Sequence, residues 1–152
     1  MLFLPLRERY STGCAAFALL AYYALTATHD LSLYDSGELA LAAVQLGLGH
    51  PPGQPLHTLL GFALAHLPLW TPLFGVALAS ALPAALTLVP ATSLAQSLLG
   101  ADAPRAVLRL LPWVIALGAL GSVLWEPATR VEVYALSTFF AVWAVARLAA
   151  PP

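Results

Sequence analysis

The chain has 152 residues, of which 61% are hydrophobic and only 9% charged, and its formal net charge is −1. A soluble domain carries about 25% charged residues because charge keeps its surface hydrated, so this composition is typical of a membrane protein. The six cations are arginines scattered along the chain. They form no basic patch, and nucleic acid is therefore not an expected partner.

Four apolar segments are long enough to cross a bilayer, which takes about 20 helical residues. They predict transmembrane helices at residues 11–28, 73–99, 107–125 and 134–148. A shorter apolar piece, Leu56–Leu69, is interpreted as an interfacial or re-entrant helix. We therefore expect a single all-α membrane domain over residues 1–152, with four spans and a pair of short interfacial helices in the first external loop.

The distribution of arginines predicts the orientation of these spans. Cytoplasmic loops of membrane proteins carry an excess of positive charge. A cytoplasmic N-terminus obeys this rule for every arginine except Arg130; the five that it places inside are Arg7, Arg9, Arg105, Arg109 and Arg147. The same orientation places the connections 29–71 and 126–133 together on the extracytoplasmic side. We expect a bacterial inner-membrane protein.

The first segment has a second interpretation as a signal peptide. Two arginines, an apolar run and the small residues at 24–26 resemble its three regions. The apolar run is long for a signal peptide, and Tyr22 and Tyr23 suit the interface end of a retained helix, which we prefer.

The first external connection contains Tyr34-Asp35-Ser36-Gly37-Glu38, which has two compatible interpretations. Asp35 and Glu38 fit a capping box for a helix from Ser36 to about Leu48. Alternatively, Glu38 and Gln45 share a helix face, so that a polar line from Asp35 to Gln45 borders a site. Charged residues near a bilayer are expensive and are usually functional, which keeps the second interpretation open.

Twelve residues after Glu38 comes His50-Pro51-Pro52-Gly53, which predicts a rigid turn holding an imidazole in place. His57 is either a packed histidine or a residue that lines the site. His29 and His66 are expected at the interface. The four histidines do not have the close spacing on one helix that a zinc site requires.

The second connection carries Trp125, Arg130, Glu132 and Tyr134. Trp125 fits an aromatic belt at a span end. Glu132 and Tyr134 stand at the mouth of an apolar helix, where a carboxylate indicates function. A surface pair between Arg130 and Glu132 is the alternative, although residues two apart do not face each other on a helix.

These residues resemble a bacterial multi-spanning family with a long-uncharacterised domain, related to eukaryotic transmembrane protein O-mannosyltransferases. The resemblance lies in residues 35–38 with the helix that follows, in residues 50–56, and in Trp125 with Glu132-Val133-Tyr134-Ala135-Leu136. It covers roughly residues 30–142. Family members have many more spans, so the chain is expected to be part of a longer architecture.

The resemblance implies a GT-C type membrane glycosyltransferase that moves a sugar from a polyprenyl-phosphate donor to an extracytoplasmic acceptor. The implied base is Asp35 or Glu38. Residues expected to bind substrate or donor are His50, His57, Gln45, Arg130, Glu132 and Tyr134. The lipid-linked sugar is the donor substrate. The sequence establishes no cofactor, and a divalent metal between carboxylates is an alternative.

Two further alternatives concern the chain as a whole. It could be a non-catalytic membrane subunit or a small transporter, in which polar residues within the spans would mark a transport path. It could also be an inactive truncated fragment, or need a second polypeptide to complete the fold.

Overall fold

The computed structural model describes residues 6–31, 35–50, 54–100 and 102–150. Within these ranges the secondary structure consists of eight helices and no strand, which confirms the all-α prediction. The helices are α1 Leu6–Thr26, α2 Ser36–Gln45, α3 Pro55–Ala65, α4 Pro72–Leu86, α5 Leu88–Leu99, α6 Arg105–Ala119, α7 Ser122–Thr129 and α8 Tyr134–Leu148.

Helix α4 is the centre of the fold, since it packs against α1, α3, α7 and α8. Its buried face consists almost entirely of small residues, including Ala77, Ala79 and Ala81. Small side chains let neighbouring helices approach closely, which is the usual basis of helix packing in membranes. One apolar core, around Val76 and Val131, lies next to α2 and α3, and a second surrounds Tyr23 and Ala119.

The predicted second span is present as a nearly continuous helix, Pro72–Leu99. Helices α4 and α5 run into each other because Thr87, between them, keeps right-handed helical geometry. The Thr87 amide and hydroxyl both donate to the Pro83 carbonyl, at 2.9 and 2.8 Å. Pro83 therefore does not end the helix.

The predicted third span, 107–125, corresponds to two helices that meet at a bend, so that a single span there is not confirmed. Helices α6 and α7 meet at a bend of 75°, and Gly121 between them is extended, with ψ at 150°. The turn is closed by a bond from the Gly121 amide to the Gly118 carbonyl, at 3.2 Å. Its apolar composition therefore indicated the segment but not the bend within it.

Within the described residues, one helix is long and apolar enough to cross a membrane, or two if the bent α6–α7 pair counts as one span. Helix α8 has the predicted bounds but only 15 residues. The four-span prediction is therefore not confirmed.

The short helices α2 and α3 occupy the predicted external loop, but α2 ends earlier than expected. It stops at Gln45 because Leu46 adopts a left-handed conformation, with φ of 53°. The Gly47 amide then donates to the Ala42 carbonyl at 2.8 Å, which satisfies the helix end.

Helix α3 packs closely against α2 and α4 at two glycines, Gly61 and Gly75. A β-carbon on Gly75 would lie 2.6 Å from the Leu64 carbonyl oxygen, and one on Gly61 would lie 2.8 Å from the Ala43 β-carbon. We call this contact of α2, α3 and α4 the glycine seam.

Candidate active site

His50 and Glu38 form the centre of a polar group at the start of α2. The His50 amide donates to Glu38 Oε1 at 2.5 Å, and His50 Nδ1 lies 3.3 Å from Glu38 Oε2. The chain reverses after Leu46, and this reversal returns His50 to the first turn of the helix. Both oxygens of the Glu38 carboxylate are therefore engaged by one residue.

The capping box predicted for Asp35 and Glu38 is wrong. Asp35 does stand at the N-cap position, but its backbone is helical (φ −80°, ψ −2°) and its side chain makes no capping bond. Glu38, which would reach back to Asp35 in a capping box, bonds His50 instead. A carboxylate gains more from a backbone amide and an imidazole together than from one amide.

Asp35 completes the polar group on its exposed side. His50 Nε2 lies 3.9 Å from Asp35 Oδ2, so the imidazole stands between two carboxylates. The Asp35 side chain is 63% exposed, and only one of its oxygens faces the ring. The predicted rigid turn at Pro51–Gly53 lies outside the described residues.

Glu132 lies in the other connection, on the same side of the apolar core as α2. Val131, the residue before it, packs in one core with Leu39 and Ala40 of α2. The half-buried Glu132 carboxyl has a raised pKa, first because burial disfavours the charged form and second because Asp35, 97 positions earlier in the sequence, repels a second negative charge; Arg130 partly opposes both. We call Asp35, Glu38 and His50 the carboxylate cluster.

Backbone and side-chain hydrogen bonds hold the two connections together. The Thr28 amide donates to the Thr129 carbonyl at 2.8 Å, and the Trp125 indole donates to Thr26 Oγ1 at 3.0 Å. Trp125 was expected only as a belt residue. At the other end of α1, the Ser11 hydroxyl donates to the Arg109 carbonyl at 2.8 Å. The cluster and the arginine-rich helix ends thus lie at opposite ends of α1.

His57 lies apart from the cluster, inside the fold. It is 2% exposed, and neither ring nitrogen has a hydrogen-bond partner among the described residues. Burial lowers the pKa of His57 to about 4, so the ring is neutral near pH 7. Its expected contact with a donor stays a prediction, and it would require the ring to become accessible.

The remaining predicted residues lie around the cluster rather than within it. Arg130 pairs with Glu126 at 3.7 Å, one helical turn away, and not with Glu132. Tyr134 is exposed at the first residue of α8, and Gln45 is exposed at the last residue of α2. Their roles as binding residues stay predictions.

The two histidines expected at the interface both contact phenylalanine rings. The His29 ring is parallel to the Phe74 ring at 4.8 Å, and the His66 ring lies 4.1 Å from that of Phe62. In the described ranges, no three His, Cys, Asp or Glu side chains are placed to hold a metal ion. The divalent-metal alternative therefore receives no support from this geometry.

Sequence reasoning missed Ser80, whose hydroxyl bonds the backbone of Glu132. Ser80 Oγ donates to the Glu132 carbonyl at 2.8 Å and accepts from the Glu132 amide at 3.0 Å. The available signal was a hydroxyl residue within an otherwise apolar helix, since such a group needs a partner when buried.

A helical protein with an acidic and imidazole cluster at one end is compatible with many activities, and comparison with known families narrows them. Residues 35–150 match the family described as the N-terminal domain of protein O-mannosyl-transferase TMEM260. This match covers more than half of the chain, and the chain therefore belongs to that family. It begins at Asp35 and includes every residue of the carboxylate cluster.

Two curated proteins are similar over a shorter segment. The chain is 44% identical over 45 residues to protein O-mannosyl-transferase tmem260 of Dictyostelium discoideum, and 53% identical over 47 residues to protein O-mannosyl-transferase TMEM260 of Mus musculus. Each match covers 30% of this chain, but only 6% and 7% of the respective relatives. No solved structure matches the chain significantly.

Proposed function

We propose that the chain is the N-terminal part of a GT-C type membrane glycosyltransferase, and that the carboxylate cluster is its catalytic centre. The proposal is supported chiefly by one observation: the His50 imidazole lies between two carboxylates, 3.3 Å from Glu38 and 3.9 Å from Asp35, within the segment that matches the family. The names of the curated relatives make mannose the first sugar to test.

The proposed donor is a sugar on a polyprenyl phosphate. An acceptor hydroxyl oxygen forms a bond to the anomeric carbon, the bond from that carbon to the phosphate oxygen breaks, and the lipid phosphate leaves with the electron pair. The hydroxyl proton passes to a carboxylate within hydrogen-bond reach, which is general base catalysis. The reaction uses no metal in this proposal.

Asp35 is the proposed base, with Glu38 as the residue that orients His50. Both Glu38 oxygens are occupied by His50, while Asp35 is largely exposed and keeps an oxygen free of the ring. His50, at the exposed edge of the cluster, is suited to form charge-assisted hydrogen bonds to the leaving phosphate. Arg130 is the proposed second cation at this end of the protein.

The orientation proposed for this activity puts the cluster on the extracytoplasmic face of a bacterial inner membrane and the N-terminus in the cytoplasm. Helices α1 and α8 and the α6–α7 pair would cross the bilayer together with Pro72–Leu99. The matched relatives are far longer than the shared segment, so a further polypeptide or further helices are proposed partners that complete the donor site.

The proposal is tested by replacing Asp35 with Asn and measuring sugar transfer from a polyprenyl-phosphate mannose donor in membranes. We expect a loss of at least about 100-fold, the usual contribution of a general base. Asp30→Asn is the matched control, because Asp30 is an exposed aspartate of the same connection that bonds Thr28 through its backbone. Equal transfer by D35N and wild type would refute the assignment of the base.

A further inference from the structure

Ser80 has an unusual environment for a hydroxyl residue. It is 0% exposed, on the central helix α4, between Ala79 and Ala81, which are equally buried. A hydroxyl left unpaired in such surroundings destabilises the fold, so its hydrogen-bond partners matter. All of the hydrogen bonds found for Ser80 Oγ are with one residue, Glu132.

The two bonds engage the backbone of Glu132 and leave its carboxylate free. The same hydroxyl accepts from the Glu132 amide and donates to the Glu132 carbonyl. Arg130, two residues earlier, is extended, and Val131 between them is buried to 1% exposure. The backbone of Glu132 is thus hydrogen-bonded to helix α4. The neighbouring Val131 is buried, and α8 begins two residues later.

We propose that Ser80 is a positioning residue, whose hydroxyl fixes the backbone of Glu132 and thereby the position of the Glu132 carboxyl relative to the carboxylate cluster. The inference rests on the proposed function of that cluster. It adds a residue from the middle of α4 that acts through Glu132.

The decisive measurement is the titration of the Glu132 carboxyl, followed by carbon-13 NMR of the labelled protein in lipid nanodiscs. The Glu132 signal is assigned by its loss in E132Q. Wild type should titrate above the ordinary glutamate range. In S80A we expect the pKa to fall towards that range, because the released segment lets the carboxylate move into water and away from Asp35. Amide exchange at Glu132 should accelerate about fivefold, since one ordinary hydrogen bond is lost.

Two further variants separate the hydroxyl from simple packing. Ser80→Cys is close to serine in volume but bonds hydrogen weakly, so it should behave like S80A. Ser97→Ala is the matched control, because Ser97 Oγ bonds only the Ser93 carbonyl of its own helix, at 3.1 Å. If S80A does not fold, the Glu132 pKa is measured in S80C instead. A Glu132 pKa that stays raised in the folded Ser80 variant, or that is not raised in wild type, overturns the inference.

The transfer assay tests the proposed function separately from the role of Ser80. Absence of transfer by wild type, or unchanged transfer in D35N, would refute the catalytic proposal while the NMR titration still decides the role of Ser80. If both proposals hold, S80A should reduce kcat about 10-fold with little change in KM. The reason is that a misplaced Glu132 carboxyl slows the reaction but leaves substrate binding intact. The double variant S80A/E132Q should then be no slower than E132Q.

Discussion

His50 and His57 are seven residues apart and lie in opposite environments. His50 stands at the surface between two carboxylates, in the carboxylate cluster. His57 is buried at the start of α3, near the glycine seam, and its nitrogens have no partner among the described residues. The difference shows that position near a motif does not fix the surroundings of an imidazole. Among the described residues, the His50 ring lies near two carboxylates and the His57 ring near none.

The comparison predicts that substitutions in the cluster reduce activity, whereas substitutions in the seam reduce stability. The largest effect is expected for Asp35→Asn, at about 100-fold or more in transfer. Its unfolding temperature should stay close to that of wild type because the side chain is exposed. A marked fall in that temperature would show that Asp35 is structural.

The next effect is expected in the seam. Gly75→Ala would place a β-carbon 2.6 Å from the backbone of α3, and the rigid carbonyl there has no room to move. We expect the free energy of unfolding to fall by about 1–3 kcal/mol, the usual result of overpacking. Gly118→Ala is the control, because open space surrounds that position on α6. Equal stability of the two variants, measured by thermal unfolding in detergent, would contradict close packing of α3 on α4.

His57 should make the fold sensitive to acid. Its pKa in the folded protein, about 4, lies below its ordinary value of 6.5, so the unfolded chain binds more protons between these pH values. The free energy of unfolding is therefore highest above pH 6.5. It decreases as the pH falls towards 4, by about 3 kcal/mol at most. His57→Leu should remove this sensitivity.

The same variant also tests the function of His57. Leucine leaves no unpaired nitrogen in the interior, so H57L should be as stable as wild type at pH 7, or more stable by about 1 kcal/mol. Transfer should be unchanged, whereas His50→Leu should reduce it about 10-fold through the loss of a charge-assisted contact. Strong loss of transfer in a folded H57L protein would place His57 in the site after all.

The smallest effect is expected for Glu132→Gln on stability. The pKa of Glu132 is raised, so the folded protein binds more protons than the unfolded chain between the ordinary and the raised value. Stability from this group is therefore present in acid and is lost as the pH rises through the raised pKa. At neutral pH, E132Q should be more stable than wild type by less than about 1 kcal/mol, since the group is partly solvated. A difference of the opposite sign would contradict the repulsion by Asp35.

Prediction from the sequence was best where a local pattern is sufficient. Helix α8 has the predicted bounds, and α2 begins at Ser36 as expected. The predicted end of α2 was wrong, and the bend before α7 was not predicted. Each depends on the backbone geometry of one residue, Leu46 or Gly121, which composition does not reveal. Two contacts were not predicted, Glu38 with His50 and Ser80 with Glu132. The first is formed across a turn, and the second joins a helix to a distant connection.

The sequence by itself determined the helical class of this protein and its family resemblance. The hydrophobic content favours helices that bury apolar faces, and carboxylates are too costly near a bilayer to be placed without function or partners. Only the tertiary structure decided which polar groups meet. The reversal after Leu46 brings His50 to Glu38, and packing of α4 brings Ser80 to the backbone of Glu132. Such contacts depend on close approach in space, which no spacing along the chain encodes.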